Sequence, residues 1–133
     1  MLIYNHSLSV KRRNTGDQLD APIYGNTCMS KGIHTWKIKV DKCDDNVGVG
    51  IIQNKCDMTY LKMEHFLFAN GVSYNIEGTA YKEGDVLTLI LNMNEKTFII
   101  NGPTFTTSTT VKESSYYACF EIYGDGNGIS IIQ

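Results

Sequence analysis

Tryptophan occurs once and proline twice in 133 residues, and no apolar run approaches the ~18 residues that a membrane span requires. No Cys-x-x-Cys pair is present. The four cysteines, Cys28, Cys43, Cys56 and Cys119, and the three histidines, His6, His34 and His65, fall at spacings unlike those of a metal centre. Neither a metal nor a cofactor is expected. Basic residues are scattered except for Lys11, Arg12 and Arg13, and the formal net charge is −2. A nucleic-acid partner would find no basic face to bind. The opening "MLIYNHSLSV" has neither the charged start nor the long apolar centre of a secretory signal. The expected compartment is therefore cytoplasmic or nuclear, with the cysteines as free thiols, some of them buried as small apolar groups.

What is present describes a folded chain. Hydrophobic residues make up 42% and charged residues 20%, which is ordinary for a globule. A chain of this length forms one domain, 1–133, and buries about two thirds of its unfolded surface, enough to fold without a disulfide or metal.

Period-two patterns dominate. In "HTWKIKV", His34, Trp36, Ile38 and Val40 fall on one face and Thr35, Lys37 and Lys39 on the other. "NVGVGII" points Val47, Val49 and Ile51 inward and leaves Gly48 and Gly50 opposite, a place for a close backbone approach or a bulge. "DVLTLILN" and "KTFII", separated by "MNE", read as a hairpin that ends at Asn101-Gly102 before Pro103. "YYACFEIY" and "GISII" around "GDGN" read as a second hairpin. Shorter strands are expected at Leu2 to Tyr4, Leu8 to Lys11, Phe66 to Phe68 and Val72 to Ile76. "CDMTYLKMEHF" allows at most a turn or two of helix, capped by Asp57 or Thr59. Many short strands punctuated by Gly and Asn predict an antiparallel β-sandwich.

The chemical motifs are sparse. "GDGNG" at Gly124 to Gly128 alternates oxygen ligands as a calcium loop does, but it lacks the closing carboxylates and runs straight into a strand. It reads as a hairpin turn. Asp41, Asp44 and Asp45 form a solvated acidic connection. "GVGII" has two glycines of a dinucleotide fingerprint and enters no helix. His34 alternates with Trp36 and reads as a hydrogen-bonded structural residue, so no enzymatic activity is expected. Tyr60 and Tyr123 stand at loop or strand ends, where amphipathic rings favour protein recognition or cap the core.

The order "SKGIHTWKIKV", "NVGVGII", "GVSYNIEG", "EGDVLTLILNMNEKTFIINGP", "YYACFEIYGDGNGISII" resembles the SPRY domain family along nearly the whole chain. The resemblance implies an all-β, concanavalin-like twisted antiparallel β-sandwich of two sheets. It also implies a non-catalytic module that takes a protein or short peptide in a preformed loop pocket at one end. The loop order is nearest to the SPRY proteins that carry a SOCS box and serve as substrate receptors of ubiquitin ligases. Carried over residue by residue, that pocket nominates Arg12, Arg13, Gln18, Asp20 and Ala21 in "VKRRNTGDQLDAPIYG", Tyr60 in "CDMTYLKM", and Ile122, Tyr123 and Gly124 in "EIYGDG". Tyr123 stands where the subgroup has Trp, and "NTGDQ" departs from the subgroup in its Pro and spacing. The alternative reading is a carbohydrate-binding, lectin-like sandwich, against which the single tryptophan, Trp36, falls in the core pattern. A monomer is expected, since no exposed apolar stripe is evident.

Overall fold

The computed structural model describes residues 2–4, 9–11, 23–25, 27–44, 46–53, 65–123 and 127–132. Twelve strands run in chain order: β1 (Leu2–Tyr4), β2 (Ser9–Lys11), β3 (Ile23–Tyr24), β4 (Ile33–Lys42), β5 (Asn46–Ile52), β6 (His65–Phe68), β7 (Ser73–Tyr74), β8 (Val86–Asn92), β9 (Thr97–Asn101), β10 (Thr106–Thr110), β11 (Tyr117–Tyr123) and β12 (Gly128–Ile132). They form two antiparallel sheets, one of seven strands in the order β1-β2-β12-β4-β8-β9-β10 and one of five in the order β3-β11-β5-β6-β7. The expected all-β sandwich of two sheets is the fold. Among the described residues no helix is long and apolar enough to cross a membrane.

One core fills the space between the sheets. β4 supplies Ile38 and Val40, β8 supplies Leu87, Leu89 and Leu91, and β9 supplies Phe98 and Ile100. The facing sheet answers with Val47, Val49, Ile51, Leu67, Phe120 and Ile122. Each such side chain contributes about 1.5–3 kcal/mol on removal from water. Lys37 and Lys39 point out to solvent as the alternation predicts. His34 and Trp36 share the inward face but are only half-buried. His34 Nε2 donates to the Lys31 carbonyl at 2.8 Å, which is the structural role expected of it. Trp36 stacks on Phe98 with ring centroids 6.4 Å apart.

One connection differs from the sequence reading. "YYACFEIY" and "GISII" do not pair with each other: β11 lies in the five-stranded sheet, whereas β12 lies between β2 and β4 in the seven-stranded one. β4 and β5 part in the same way. Alternation reports which face of a strand is apolar, and both sheets of a sandwich satisfy it equally. Asn127, fully buried at the crossover, donates through Nδ2 to the Tyr123 carbonyl and accepts from the Asp44 N–H at 3.0 Å, tying both turns together. The short strands β3 and β10 carry no expectation from sequence. The suggested helical turn in "CDMTYLKMEHF" lies outside the described residues, apart from its end in β6.

The outer face of β5 is also covered. A Cβ on Gly48 would come 2.2 Å from the Phe66 ring, and one on Gly50 would come 2.1 Å from the His65 carbonyl oxygen. The close approach expected of these glycines is present, and it lets Ile52, Phe66, Phe68 and Cys119 form a second apolar cluster outside the main core.

Candidate functional site

β11 ends at Tyr123, opposite Asn46 at the start of β5. Several bonds fix this corner. Asn46 Oδ1 accepts from the N–H groups of Val47 at 3.1 Å and Asn70 at 3.3 Å. Asn70 Oδ1 in turn accepts from the Val72 N–H at 3.0 Å. These Asx contacts close the turn between β6 and β7, where Gly71 takes φ +95°. The Tyr123 ring lies 6.0 Å from Phe68, which meets Tyr74 edge-on at 6.3 Å. Tyr74 and Val72 are each about half exposed. The result is an aromatic surface, one end rooted in the outer cluster and the other open to solvent. A recess of about 360 Å³ beside it is lined by Cys43, Ala69, Asn70, Tyr81, Lys82 and Glu83.

The electrostatics at this corner are set by burial. Glu121 is 1% exposed, and desolvation raises its pKa, while the bond from the Tyr123 hydroxyl opposes the rise. Desolvation, with the charge of Glu121 adding to it, pushes the Cys119 thiol up as well. A thiol held in its neutral form is a poor nucleophile. Among the described residues Cys28 and Cys119 are free thiols, of which Cys119 is buried. Among the described residues no group of three His, Cys, Asp or Glu side chains could hold a metal ion. Asp44 pairs with Lys42 at 3.3 Å on the surface.

Of the site residues nominated from sequence, Tyr123 is the last residue of its strand and half-buried. Ile122 is 1% exposed and packs in the core between the sheets. Arg12, Arg13, Gln18, Asp20, Ala21, Tyr60 and Gly124 lie outside the described residues. The strands that bracket the early loop are described: Lys11 pairs with Gly128 and Ile23 with Phe120, so β2 ends and β3 begins toward the Tyr123 end. The strand ends around Tyr60 differ. Ile52 pairs with Tyr117 and His65 with Ile51, at the far end of the five-stranded sheet, about 20 Å away along β11. Sequence reasoning missed Phe68, Val72, Tyr74, Asn46 and Asn70. An aromatic just after the Gly71 turn in "NGVSY" was the available signal for Tyr74 and its neighbours.

Two further recesses lie elsewhere. A polar one of about 450 Å³ includes His65, Asn75, Glu77, Thr109, Lys112 and Tyr116 in its lining. His65 Nδ1 donates to the Asn75 carbonyl at 2.8 Å, and Asn75 adopts φ +55° to offer it. A more apolar recess of about 530 Å³ is bordered by Met29, Ile33, Trp36, Phe120 and Ile131.

No protein-family model matches the sequence, and no curated protein matches it. Solved structures do. The SPRY domain of human HERC1 superposes with a TM-score of 0.66 at 18% identity, over 84% of this chain and 81% of that one. A human SPRY domain gives 0.70 at 10% identity, over 98% and 94%. The PSpry domain of TRIM65 gives 0.56 at 12% identity, over 84% and 70%. At these identities the likeness is one of fold: the chain is a SPRY-type β-sandwich.

Proposed function

We propose that this chain is a non-catalytic protein–protein interaction module, intracellular in location, that binds a short peptide segment or protein surface at the Tyr123 end of the sandwich. The observation that carries the reading is that Tyr123 and the half-exposed Tyr74 both pack against Phe68 of the outer cluster. Fixed aromatic rings at a strand end offer contact area at little entropic cost. Arg12 and Arg13 supply forked donors for a carboxylate or peptide carbonyl. The resemblance assigns Gln18, Asp20, Ala21, Tyr60 and Gly124 to the same pocket, although the strands that flank Tyr60 end about 20 Å from Tyr123 along β11, and Ile122 packs in the core on the face of β11 opposite Tyr123. The resemblance to SOCS-box SPRY proteins supports service as a substrate receptor of a ubiquitin ligase or as a scaffold domain. A sugar-binding role finds less support, because Trp36, half-buried at the border of the apolar recess, stacks on Phe98.

A lysate pull-down with wild type and a Tyr60→Ala/Tyr123→Ala double variant, run beside a glycan array, tests this. The expected result is a protein partner retained by wild type alone, with no glycan bound. Equal retention by both proteins, or a specific glycan, would reject the reading.

A further inference from the structure

The polar recess lies at the His65 end of the five-stranded sheet, away from Tyr123, and one of its walls is an open strand edge. β10 is the outermost strand of the seven-stranded sheet and pairs with β9 alone. The Val111 N–H donates to the Lys96 carbonyl at 3.0 Å, and the Gly102 N–H donates to the Phe105 carbonyl at 2.8 Å. In an antiparallel ladder bonded pairs recur at every second residue. Thr107 and Thr109 therefore bond to β9, and the N–H and C=O groups of Thr106, Ser108 and Thr110 point away from the sheet. Among the described residues these outward groups have no partner, apart from a 3.4 Å bond from the Thr109 hydroxyl to the Thr110 carbonyl. β10 carries neither charge nor proline and keeps an unbroken register, so nothing in the strand blunts its edge.

The recess indicates what an added strand would carry. Ser108, Thr109 and Thr110 border it together with His65, Glu77 and Lys112. His65 is only 7% exposed. Its Nδ1 faces the Asn75 carbonyl at 2.8 Å, which holds the proton of the neutral ring on that nitrogen and leaves Nε2 as a lone-pair acceptor. Nε2 has no partner among the described residues, so a buried acceptor borders the recess unused. Glu77 takes the Thr107 hydroxyl on its main-chain carbonyl at 3.1 Å, and among the described residues its carboxylate accepts no bond. The carboxylates of Glu77 and Glu113 outweigh the Lys112 ammonium, which leaves the lining net negative. The turn below is held in place, because the Tyr116 hydroxyl accepts from the N–H groups of Lys112 and Glu113 at 3.2 and 3.0 Å.

An extended chain added to β10 turns every second side chain to the inward face, which Thr107 and Thr109 share. Phe98 is the β9 neighbour of Thr109, and the His65 ring lies 6.3 Å from Phe98. An incoming residue opposite Thr109 stands two strand spacings, about 10 Å, from Phe98. Only a long side chain reaches from there to His65. It must donate, because Nε2 and the Glu77 carboxylate both accept, and a positive charge matches the lining. A guanidinium meets all three conditions: its fork of N–H donors serves a ring nitrogen and a carboxylate together, and it has no lone pair to set against them. We propose that β10 and the polar recess form a second binding surface, which adds an extended peptide as an outer strand and takes an arginine side chain of that peptide between His65 and Glu77. Main-chain pairing supplies the affinity and the recess supplies the choice of side chain. This surface is separate from the Tyr123 end and does not depend on it.

The probe is the capped peptide Thr-Val-Thr-Arg-Thr-Val-Thr, titrated into the isotope-labelled whole chain and followed by nuclear magnetic resonance, beside versions with Glu or Met at the centre. The Arg peptide should bind with a Kd below about 1 mM, and the Glu and Met peptides at least about tenfold more weakly. Amide shifts should gather at Ser108, Thr110 and Asn75. Glu77→Gln, a change at an exposed side chain, should weaken the Arg peptide by about threefold to tenfold and reduce its sensitivity to salt. Ser108→Pro removes an N–H that β9 does not use, so the strand is kept while binding falls by about tenfold or more. Circular dichroism checks that each variant folds, and either folded variant suffices. Equal binding of the three peptides, no shifts with the Arg peptide at about 2 mM, or shifts gathered elsewhere on the sandwich would overturn the proposal. So would unchanged affinity for the Arg peptide in a folded variant.

Discussion

The hydroxyl of Tyr123 donates a 3.0 Å hydrogen bond to Oε1 of Glu121, two residues earlier on β11. Among the described residues this bond is the polar contact of the Glu121 carboxylate, which is otherwise buried on the outer side of the five-stranded sheet. Burial favours the protonated carboxyl, so the folded chain binds this proton more tightly than the unfolded chain does. Stability contributed by Glu121 is thus full below its ordinary value of 4.5 and is lost as pH rises through the raised folded value. Glu121→Gln keeps an acceptor for Tyr123 and has no charge to bury. The variant should melt above wild type at neutral pH, and the two should converge in acid, as thermal scans at several pH values would show.

Tyr123 itself joins the fold to the proposed site. Tyr123→Ala should weaken partner binding by ~1–3 kcal/mol, as truncation of an interface tyrosine often does. Tyr123→Phe separates its two roles, since the ring contact with Phe68 remains while the bond to Glu121 is lost. Binding that survives in Phe and fails in Ala assigns the contribution to the ring. An Ala variant that does not fold, judged by circular dichroism, would place Tyr123 among the core residues instead.

Gly50 has no room for a methyl group, because its Cβ would meet the backbone carbonyl of His65 at 2.1 Å. Gly50→Ala should therefore destabilise by at least the ~1–3 kcal/mol typical of overpacking, read as a lowered urea midpoint. Gly48→Ala meets the Phe66 and Phe68 rings instead. Paired with Phe66→Leu it should recover part of its loss, whereas Gly50→Ala should not. Additive behaviour of the Gly48 and Phe66 changes would contradict this packing.

The hydroxyl of Tyr81 donates to two buried carbonyls, Leu67 at 2.8 Å and Val47 at 3.2 Å. It fastens the segment after β7 to β5 and β6. Tyr81→Phe keeps the ring and strands those acceptors, at a cost of about 1–3 kcal/mol, measurable by chemical denaturation. Burial also raises the Tyr81 pKa well above its usual 10, so the bonds persist into alkaline solution.

The strands that the sequence made legible are those with a wet face and a dry one. β4, β8 and β9 alternate cleanly, and the turn at Asn92 to Lys96 announces their reversal. Asn92 Oδ1 accepts from Asn94 and Glu95 there, both at 3.0 Å. Sheet membership was not legible, because Phe120 of β11 and Ile129 of β12 present the same inward pattern from opposite layers. β10 was invisible, since Thr and Ser carry no apolar alternation. At the candidate site Tyr123 stood out by its place at a strand end and by the resemblance. Tyr74 did not, because the pairing of β6 with β7 is what brings it against Phe68.

The proposed binding surface is the Tyr123 end of the sandwich. Once a partner has been captured, calorimetric titration of that partner against wild type and Tyr123→Ala tests this most directly. The predicted result is a Kd raised at least about tenfold in the variant, equivalent to ~1.4 kcal/mol, with the fold intact. An unchanged Kd in a folded variant would contradict it and move the binding surface elsewhere on the sandwich.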